Sequence, residues 1–502
     1  MSFLYLNQIH GMMKKLILKE LDLNFGLEKI NPLWYLLAGM ITMTASHLTF
    51  SIDAVAWISM VPFLIYLGIT DGWKSRLLFT VVLILTWSVI TYKIVTPPIP
   101  FVLIFLYSIP ISAFHLPGYL LWAALKRRRY SIFIFPASMI IMEWLQYTFT
   151  PLASWGVAAY TQSESLNMMQ VTSLFGLAGL SFLIYWVNVS ITAILVKGRT
   201  SLATFQIPLV TMIILLLYGS LRLDISRSKG KETISLAAIG TDSDIGAAPL
   251  PTREKNERDI IGIFDRTEKA AKMGAKIAVW NEGAFLLEPG YEHAWIDSMQ
   301  HLASGNNITL VASYVLMTSE TPMKYENKYL LIDATGQVLY SYLKHEPVPG
   351  EQAVKGREEL KVADIGGSLL GGAICYDYDF PYLAKGYGKI GADIVALPSS
   401  DWRGIDPLHT RMAAFRAVEQ GHSILRSTRF GLSAAINPYG EMISQMSSFD
   451  DNDKIMIASL PVKKASTLYA LWGDAFVYLC VVPFILLIII KDDKDYWIDT
   501  NT

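Results

Sequence analysis

The chain has 502 residues, of which 52% are hydrophobic and only 17% are charged. This composition is too apolar for an ordinary soluble protein, so part of the chain is expected to lie in a membrane. The formal net charge of -1 argues against a nucleic-acid partner, because nucleic-acid phosphates call for a basic surface.

The first part of the chain predicts a short lead-in followed by a bundle of membrane helices. Segment 1–31 lacks the compact apolar core of a cleavable signal peptide and is predicted to be a cytoplasmic lead-in. Segment 32–222 is predicted to be a membrane domain, because a bilayer core of about 30 Å needs roughly 20 apolar residues per helical span. About seven such stretches occur, at 32–50, 54–69, 77–92, 101–125, 131–147, 174–196 and 207–221.

Cationic residues between these stretches predict the orientation of the bundle. Lys74 and Arg76 follow the second stretch, the KRRR run at 126–129 follows the fourth, and Lys197 and Arg199 follow the sixth. By the positive-inside rule, these loops and the N-terminus are cytoplasmic. An odd number of spans then brings the next segment to the outer face of the membrane.

Segment 232–466 is more charged and richer in glycine than the preceding segment, and its pattern predicts an α/β domain. Apolar runs such as ISLAAIGTD and ADIVALPSSDW predict strands, and 253–274 has apolar residues at helical spacing. The alternation of strands and helices predicts sheets covered by helices. Segment 468–490 is predicted to be one more transmembrane helix, which returns a tail at 491–502 to the cytoplasm.

One cysteine is placed to act as a nucleophile. Cys375 follows the apolar run LLGGAI and precedes YDYDF, so it is expected where a buried strand opens into a turn. A lone cysteine in this setting is more often a small core residue, so the assignment depends on its partners. Cys480 lies in a continuous apolar stretch and is predicted to pack in the membrane. With one cysteine in each setting, the two cysteines of the chain offer no disulfide framework.

Two strand-end residues of the same domain supply the partners that a reactive thiol needs. Glu282 lies in VWNEGAF and Lys344 in YLKHEPVPGE. A thiol with a pKa near about 8.5 needs a base or a cation nearby to become a thiolate at neutral pH, and these residues supply one of each. The Lys344 ammonium and the backbone N–H of Tyr376 are assigned to hold the oxyanion of an attacked acyl group.

The order and spacing of Glu282, Lys344 and Cys375 resemble the nitrilase, or carbon–nitrogen hydrolase, superfamily. The resemblance implies a Glu-Lys-Cys triad on an αββα sandwich. Glu351, seven residues past Lys344, is similar to the second glutamate of that superfamily, which implies that it orients Lys344 or relays a proton. The chain shows no metal-ligand cluster and no Gly-rich phosphate loop, so no metal and no cofactor are expected.

Five stretches carry a further resemblance: MEWLQY (142–147), SWGVAAYTQ (154–162), LFGLAGLSFL (174–183), HTRMAAFRAVEQGHSILRSTRFGLSAAINPYG (409–440) and TLYALWGD (467–474). Through them the chain resembles, over nearly its whole length, the apolipoprotein N-acyltransferase family, the membrane branch of this superfamily. The resemblance implies a polytopic helical membrane protein with an extracytoplasmic α/β domain of the nitrilase-like αββα type.

The chain departs from the family pattern at a few positions around the expected pocket. Asn281 precedes Glu282 where the family usually has Pro, and Gly283 stands where Ser or Thr is common. The DWRG stretch at 401–404 lacks an Asn and a Phe, and the interval from Lys344 to Glu351 is one residue shorter than expected. These departures bear on acyl or acceptor preference more than on reaction type.

Other residues are candidates for substrate access or for supporting the catalytic groups. Trp402 is one, and Glu143 is another, because an ionisable group within a predicted span is expensive and usually functional or paired. The alternative for Glu143 is that it caps a loop near the outer interface. The simplest interpretation of Trp155, Tyr160 and Trp472 is that they are interfacial aromatic residues.

A helix over 409–421 carries further candidates. His409, Arg416 and Glu419 fall at i, i+7 and i+10, which places them on one helical face. Arg416 and Glu419 are also candidates for substrate access or for contacts behind the catalytic groups. The interpretation of all three together is a structural ion-pair network at a domain boundary.

The resemblance implies a two-step transfer. Cys375 would take an acyl chain from a membrane phospholipid as a thioester, and the amine of the N-terminal diacylglyceryl-cysteine of an apolipoprotein would then accept the chain, with Glu282 receiving its proton. The implied partners are the phospholipid and the diacylated apolipoprotein, with a monomer as the enzyme. The implied location is the bacterial cytoplasmic (inner) membrane, with the catalytic domain on the periplasmic face.

Two alternatives stand beside this hypothesis. A membrane-tethered amidase that hydrolyses a small C–N substrate would use the same triad but would leave the predicted spans without a purpose. A non-enzymatic scaffold or transporter is disfavoured by the triad and by the scarcity of ionisable residues in the spans.

Overall fold

The computed structural model describes residues 26–97, 99–128, 130–197, 202–228, 232–243, 245 and 250–489. Most of the predicted lead-in, the predicted tail at 491–502, and the loop residues Arg129 and Arg199 lie outside these ranges. The described chain forms a helical part (26–228 and 475–489), called here the membrane part, and an α/β part (232–467).

The membrane part consists of apolar helices. In chain order they are α1 (Leu33–Ser46), α2 (Asp53–Ala56), α3 (Val61–Ile69), α4 (Trp73–Tyr92), α5 (Ile104–Leu125), α6 (Ser131–Phe149), α7 (Leu166–Met169), α8 (Thr172–Lys197) and α9 (Leu202–Ser228). Among the described residues, five helices are long and apolar enough to cross a membrane: Trp73–Tyr92, Phe101–Leu125, Ser131–Phe149, Thr172–Val196 and Phe205–Ser226. Leu33–Ser46 and Ala475–Ile489 are shorter apolar helices, and Asp53–Ile69 is a shorter apolar stretch that contains α2 and α3.

The second predicted span is interrupted rather than continuous. Helix α2 ends at Ala56 and α3 begins at Val61, with Asn188 of α8 packed against the gap. The Asn188 side chain accepts a hydrogen bond from the backbone N–H of Met60 and donates one to the carbonyl of Ala56, both at 2.9 Å. Free backbone groups are costly in an apolar environment, so this amide makes the break tolerable.

The α/β part contains two sheets. Its strands are β1 (Thr233–Ile239), β2 (Ile277–Trp280), β3 (Leu286–Leu287), β4 (Thr309–Glu320), β5 (Met323–Ile332), β6 (Val338–Leu343), β7 (Ala363–Ile365), β8 (Ser368–Gly372), β9 (Ile394–Ser400), β10 (Ser423–Arg429), β11 (Leu432–Ile436), β12 (Met442–Ser447) and β13 (Ile455–Pro461). The first sheet has the order β13-β1-β2-β4-β5-β6, with β3 beside β4, and the second has the order β12-β11-β10-β9-β8-β7.

The helices of this part are α10 (Arg253–Lys272), α11 (Glu292–Asn306), α12 (Pro381–Lys389) and α13 (Leu408–Gln420). Strand β1 shows how the layers stack, because its side chains alternate between two faces. Leu236 and Ala238 join a core that includes Ile394 and Ile424 of the second sheet, whereas Ala237 and Ile239 join a separate core with helix α10. The layers are therefore helix, sheet, sheet and helix, and the predicted fold class is confirmed.

The chain returns to the membrane part through a second interrupted helix. Helix α14 (Leu468–Trp472) ends at Gly473, and α15 (Ala475–Ile489) begins after Asp474. The Asp474 carboxylate accepts hydrogen bonds from Lys385 at 2.6 Å, from the Trp144 indole at 3.1 Å and from the Tyr469 hydroxyl at 2.9 Å. It thereby joins α12, α6 and α14 at the boundary between the two parts.

A glycine at the end of α13 offers a test of this packing. Gly421 has a φ of +73°, and a Cβ added there would lie 1.8 Å from the carbonyl oxygen of Ala465. Gly391 has a φ of +89°, but a Cβ added there would lie 3.6 Å from the nearest atom, Cδ1 of Leu369. Left-handed backbone costs an alanine about 1–2 kcal/mol, so Gly391→Ala is expected to lower the Tm of the detergent-solubilised protein modestly. Gly421→Ala must also move a backbone carbonyl and is expected to lower the Tm further. Equal Tm values for the two variants would contradict this packing.

Candidate active site

The turn after β8 presents Cys375. The strand ends at Gly372, and a short 3₁₀ turn covers Cys375–Asp379. Cys375 has a φ of +48°, in the left-handed region that a non-glycine residue adopts only when its surroundings hold it there. Its thiol donates to the carbonyl of Ser400, at the end of β9, with a sulfur–oxygen distance of 3.5 Å.

Asp377 holds this turn from within the α/β part. One carboxylate oxygen accepts the backbone N–H of Ile374 at 3.0 Å and the Tyr342 hydroxyl at 2.8 Å. The other accepts the backbone N–H of Glu346 at 2.6 Å. The side chain therefore fixes the nucleophile turn against the strand β6 and the loop that carries Lys344.

Lys344, directly after β6, lies between two carboxylates. Its ammonium is 2.8 Å from an oxygen of Glu282 and 2.8 Å from an oxygen of Glu351, and its side chain is 2% exposed. The Asn327 amide also donates to both carboxylates, at 2.7 Å and 3.0 Å. Because a buried charge is costly unless it is paired, these contacts fix all four side chains relative to one another.

The ends of both sheets meet at this point. Glu282 follows β2 of the first sheet, and its backbone N–H donates to the carbonyl of Ser399 in β9 of the second sheet at 3.2 Å. The structure thus brings Glu282, Lys344 and Cys375 together, with Glu351 beside them. Tyr376 follows the nucleophile, and its hydroxyl donates to the carbonyl of Pro151 in the membrane part.

The electrostatics of the site favour a neutral thiol before substrate binds. Burial and the nearby Glu282 carboxylate raise the pKa of Cys375 well above its usual range, against the lowering effect of Lys344. Burial alone would lower the pKa of Lys344, but Glu282, Glu351 and Cys375 raise it well above its usual value. Burial opposes ionisation of Glu351, but Lys344 lowers its pKa. One cation facing two carboxylates leaves a local negative charge, so attack by sulfur requires transfer of the thiol proton.

Cys375 faces an apolar cavity between the two parts of the chain. The membrane part contributes Ile94, Val95, Ile99, Tyr107, Leu152 and Trp155, and the α/β part contributes Val348, Tyr376, Ser400, Trp402, Ile405 and His409. The Trp402 indole donates to the carbonyl of Ile94 at 2.6 Å, so Trp402 closes the wall across the boundary. The lining around the thiol is therefore mainly apolar and comes from both parts of the chain.

Arg416 and Glu419 do not line this cavity. They form a fully buried ion pair at 2.7 Å, while Arg416 donates to the Tyr160 hydroxyl at 2.9 Å. Glu419 accepts the backbone N–H of Leu177 in α8 at 3.0 Å. Arg416 and Glu419 therefore join α13 to the membrane part. The interpretation of Tyr160 as an interfacial aromatic residue is wrong, because it is buried at this boundary.

Glu143 also lies away from the cavity wall. In α6, one of its carboxylate oxygens accepts the backbone N–H of Ala158 at 2.8 Å and the Tyr185 hydroxyl at 2.6 Å. These contacts fit the alternative interpretation of Glu143, a cap for the loop between α6 and α7. That loop carries Trp155, which is 8% exposed and therefore not an interfacial aromatic residue as expected.

The proposed grouping of His409 with Arg416 and Glu419 is wrong. Its ring nitrogens face two other carboxylates, Nδ1 that of Asp401 at 2.7 Å and Nε2 that of Asp379 at 3.0 Å. Arg426 holds Asp401 through both guanidinium nitrogens, at 2.8 Å and 2.9 Å. The spacing along α13 could not show this, because these partners come from β10 and from the turns after β8 and β9.

The sequence analysis missed Asp379, Asp401 and Arg426. Donor atoms of Cys375, Asp401 and His409 lie within 4.8 Å of one another, an arrangement that could in principle hold a metal ion. Both ring nitrogens of His409 already face carboxylates, and Arg426 already neutralises Asp401. We therefore assign the group to charge pairing within the protein.

Comparisons with known proteins cover both parts of the chain. Residues 38–190 match the family model described as the apolipoprotein N-acyltransferase N-terminal domain, and residues 253–469 match the carbon–nitrogen hydrolase model. A solved amidase of the nitrilase superfamily from Nesterenkonia is 20% identical with a TM-score of 0.40, covering 50% of this chain and 97% of its own.

Curated relatives include apolipoprotein N-acyltransferases of three bacteria. The Borreliella burgdorferi protein is 27% identical over 66% of this chain and 70% of its own length. The Bradyrhizobium diazoefficiens protein is 24% identical over 76% and 80%, and the Geobacter metallireducens protein is 24% identical over 86% and 89%, respectively.

Thiol reactivity tests the charge arrangement directly. In a Cys480→Ala background, Glu282→Gln is expected to speed the alkylation of Cys375 by iodoacetamide at pH 7, because removal of the carboxylate lowers the pKa of the thiol. Lys344→Met is expected to slow it, since each pKa unit changes the thiolate fraction about tenfold. Time courses followed by intact mass spectrometry would measure both rates.

Glu346→Gln is the matched control, because the Glu346 carboxylate pairs with Lys355 and Tyr382 rather than with the triad. It is expected to leave the alkylation rate unchanged. A slower rate in Glu282→Gln than in the parent would contradict the arrangement.

Proposed function

Because this chain belongs to the apolipoprotein N-acyltransferase family, we propose that it moves an acyl chain from a membrane phospholipid to diacylated apolipoproteins through a thioester on Cys375. N-acylation in lipoprotein maturation is the activity of the family, and the donor and the site residues are the parts that we propose. The observation that carries the proposal is the position of Cys375, beside Lys344 and Glu282, on an apolar cavity built from both parts of the chain.

In the first half-reaction, the sulfur of Cys375 bonds to the ester carbonyl carbon of the phospholipid while its proton passes to Glu282. The resulting oxyanion is held by the Lys344 ammonium and the backbone N–H of Tyr376. The carbon–oxygen ester bond then breaks, and the departing alkoxide takes the proton from Glu282. A lysophospholipid leaves, and the acyl chain remains on sulfur.

In the second half-reaction, the amine of the apolipoprotein cysteine attacks the thioester carbonyl. Glu282 accepts a proton from this amine, and the same donors hold the second oxyanion. The carbon–sulfur bond breaks, an amide is released and the Cys375 thiol is restored with the proton from Glu282. The two steps share one covalent intermediate, so the kinetics are ping-pong.

The cavity explains why the intermediate is not lost to water. Its walls are mainly aliphatic and aromatic, and Cys375 is only 4% exposed. An acyl chain that fills such a space excludes water from the thioester. A complete cavity and a complete set of catalytic groups within one chain support a monomer as the working unit.

The distribution of cationic residues supports a location for the proposed enzyme. We place the α/β part at the outer, periplasmic face of the bacterial inner membrane, because the positive-inside rule assigns the cationic segments with Lys74, Arg76 and the run at 126–128 to the cytoplasm. Both proposed substrates are anchored in lipid, so a site at the boundary of the two parts suits their approach from the bilayer.

Formation of an acyl adduct tests the proposed chemistry. Purified protein incubated with phospholipid is expected to gain the mass of one acyl chain, and the adduct should disappear when a diacylated lipopeptide is added. Intact mass spectrometry would follow both steps. Cys375→Ala is expected to gain no mass, whereas Cys480→Ala should behave as the parent. Release of ammonia from small amides without an adduct from phospholipid would instead support a tethered amidase.

Cysteine labelling tests the proposed orientation. Glu254, in the α/β part, and Lys74, in the first turn of α4, are both exposed. A membrane-impermeant maleimide is expected to label Glu254→Cys in spheroplasts of an expressing bacterium, and to label Lys74→Cys only after lysis. The reverse pattern would exclude a periplasmic active site.

A further inference from the structure

We propose that Trp155 and His409 are positioning residues that hold the nucleophile turn through Asp379, so that the membrane part of the chain helps to set the geometry of Cys375. Asp379 is the last residue of the turn that begins at Cys375. The role of Asp379 in acyl transfer rests on the proposed function. Its role in holding the turn does not depend on which reaction Cys375 carries out.

Asp379 is anchored mainly by the loop between α6 and α7. Its carboxylate accepts the Trp155 indole N–H at 2.8 Å, and its backbone carbonyl accepts the Ser154 hydroxyl at 2.6 Å and the Ser154 backbone N–H at 3.3 Å. The Tyr376 hydroxyl adds a contact to the carbonyl of Pro151 in the same loop. Pro151, Ser154 and Trp155 of one loop therefore hold a turn that lies far away in sequence. Trp155 and Asp379 are 224 residues apart.

His409 provides the anchor from the α/β part. Its Nε2 lies 3.0 Å and 3.1 Å from the two carboxylate oxygens of Asp379, and its Nδ1 lies 2.7 Å from Asp401. Asp401 is in turn held by both guanidinium nitrogens of Arg426. The two carboxylates favour the imidazolium form, in which both ring nitrogens donate, while a guanidinium nitrogen of Arg426 also lies 2.9 Å from Nδ1.

The charges of this group balance only in that form. Asp379 and Asp401 supply two negative charges, and Arg426 and the His409 imidazolium supply two positive charges. Burial alone would lower the pKa of His409, but the two carboxylates raise it to about 9. Burial would raise the pKa of Asp401, but Arg426 and His409 lower it to about 2. All four side chains are 5% exposed or less, so the loss of one would leave an unpaired buried charge.

The nucleophile turn thus has two different anchors. Asp377 ties it to strand β6 and the Lys344 loop, entirely within the α/β part. Asp379 ties it across the boundary to the membrane part. The left-handed backbone at Cys375 needs such support, because a non-glycine residue relaxes from this conformation when it is free to do so.

The cross-boundary anchor is also part of the cavity wall. Trp155 and His409 both line the cavity, with ring centroids 5.7 Å apart. An acyl chain in the cavity therefore touches the side chains that fix Asp379. Binding of the acyl donor and alignment of Cys375 are therefore coupled through Trp155 and His409.

Trp155→Phe tests the anchor while keeping an aromatic wall. The hydrogen bond lost is to a charged group, so amide exchange in Cys375–Asp379 is expected to rise about tenfold, measured by hydrogen–deuterium exchange and mass spectrometry. The kcat of acyl-adduct formation from phospholipid is expected to fall about tenfold, with KM for the phospholipid nearly unchanged. A role confined to lining the cavity would change KM instead.

Trp144→Phe is the matched control. The Trp144 indole also donates to a carboxylate at the boundary, that of Asp474, but Trp144 does not line the cavity. It is expected to leave both the exchange rate of the turn and kcat unchanged. His409→Gln is the second variant, and its loss of charge should produce a larger fall in kcat than Trp155→Phe does.

The possible outcomes separate this inference from the proposed function. Faster exchange in Trp155→Phe and His409→Gln, but not in Trp144→Phe, supports the anchor even if no variant forms an acyl adduct. Unchanged exchange in the turn in Trp155→Phe or in His409→Gln overturns it. An equal effect of Trp144→Phe also overturns it, because the change would then reflect general loosening of the boundary.

Discussion

The buried ammonium of Lys344 is the constraint around which the α/β part is arranged. A lysine that is 2% exposed is tolerable only with paired carboxylates, and Glu282 and Glu351 each approach it to 2.8 Å. To supply them, the ends of β2 and β6 must converge with the loop that follows β6. Burial and, after it, the Glu282 carboxylate that this convergence brings close raise the pKa of the Cys375 thiol, so the resting site holds a neutral thiol beside a carboxylate.

The membrane part follows a related rule in an apolar setting. At the break between α2 and α3, the polar side chain of Asn188 compensates for the free backbone groups. Glu143 does the same for the loop that carries Trp155, through the backbone N–H of Ala158. The same loop forms part of the cavity wall and contacts the nucleophile turn of the neighbouring part through Trp155.

The sequence alone was sufficient for the fold class and for the residues around Cys375. Glu282, Lys344 and Cys375 each follow an apolar strand, so local pattern places them at strand ends, and family resemblance places those ends together. The sequence was insufficient to predict the contacts of side chains whose partners lie far away in the chain. His409 shares a helical face with Arg416 and Glu419, and spacing therefore suggested one network, whereas the structure pairs His409 with Asp401 and Asp379. Hydropathy likewise could not locate the break in the second span, because the compensating amide lies in α8.

The errors at Trp155, Tyr160 and His409 have a common physical origin, which is the boundary between an apolar bundle and a polar sandwich. A tryptophan near the end of a membrane helix usually faces the lipid headgroups, and its indole N–H is then satisfied by water or lipid. Here a protein domain covers that end, so Trp155 must find a protein acceptor, and Asp379 provides one at 2.8 Å. The carboxylate in turn requires a cation, which His409 supplies with the help of Asp401 and Arg426. Once the catalytic part is packed on the bundle, the pairing of these groups is determined by the need to satisfy each buried polar atom, and it places the membrane loop directly behind the nucleophile.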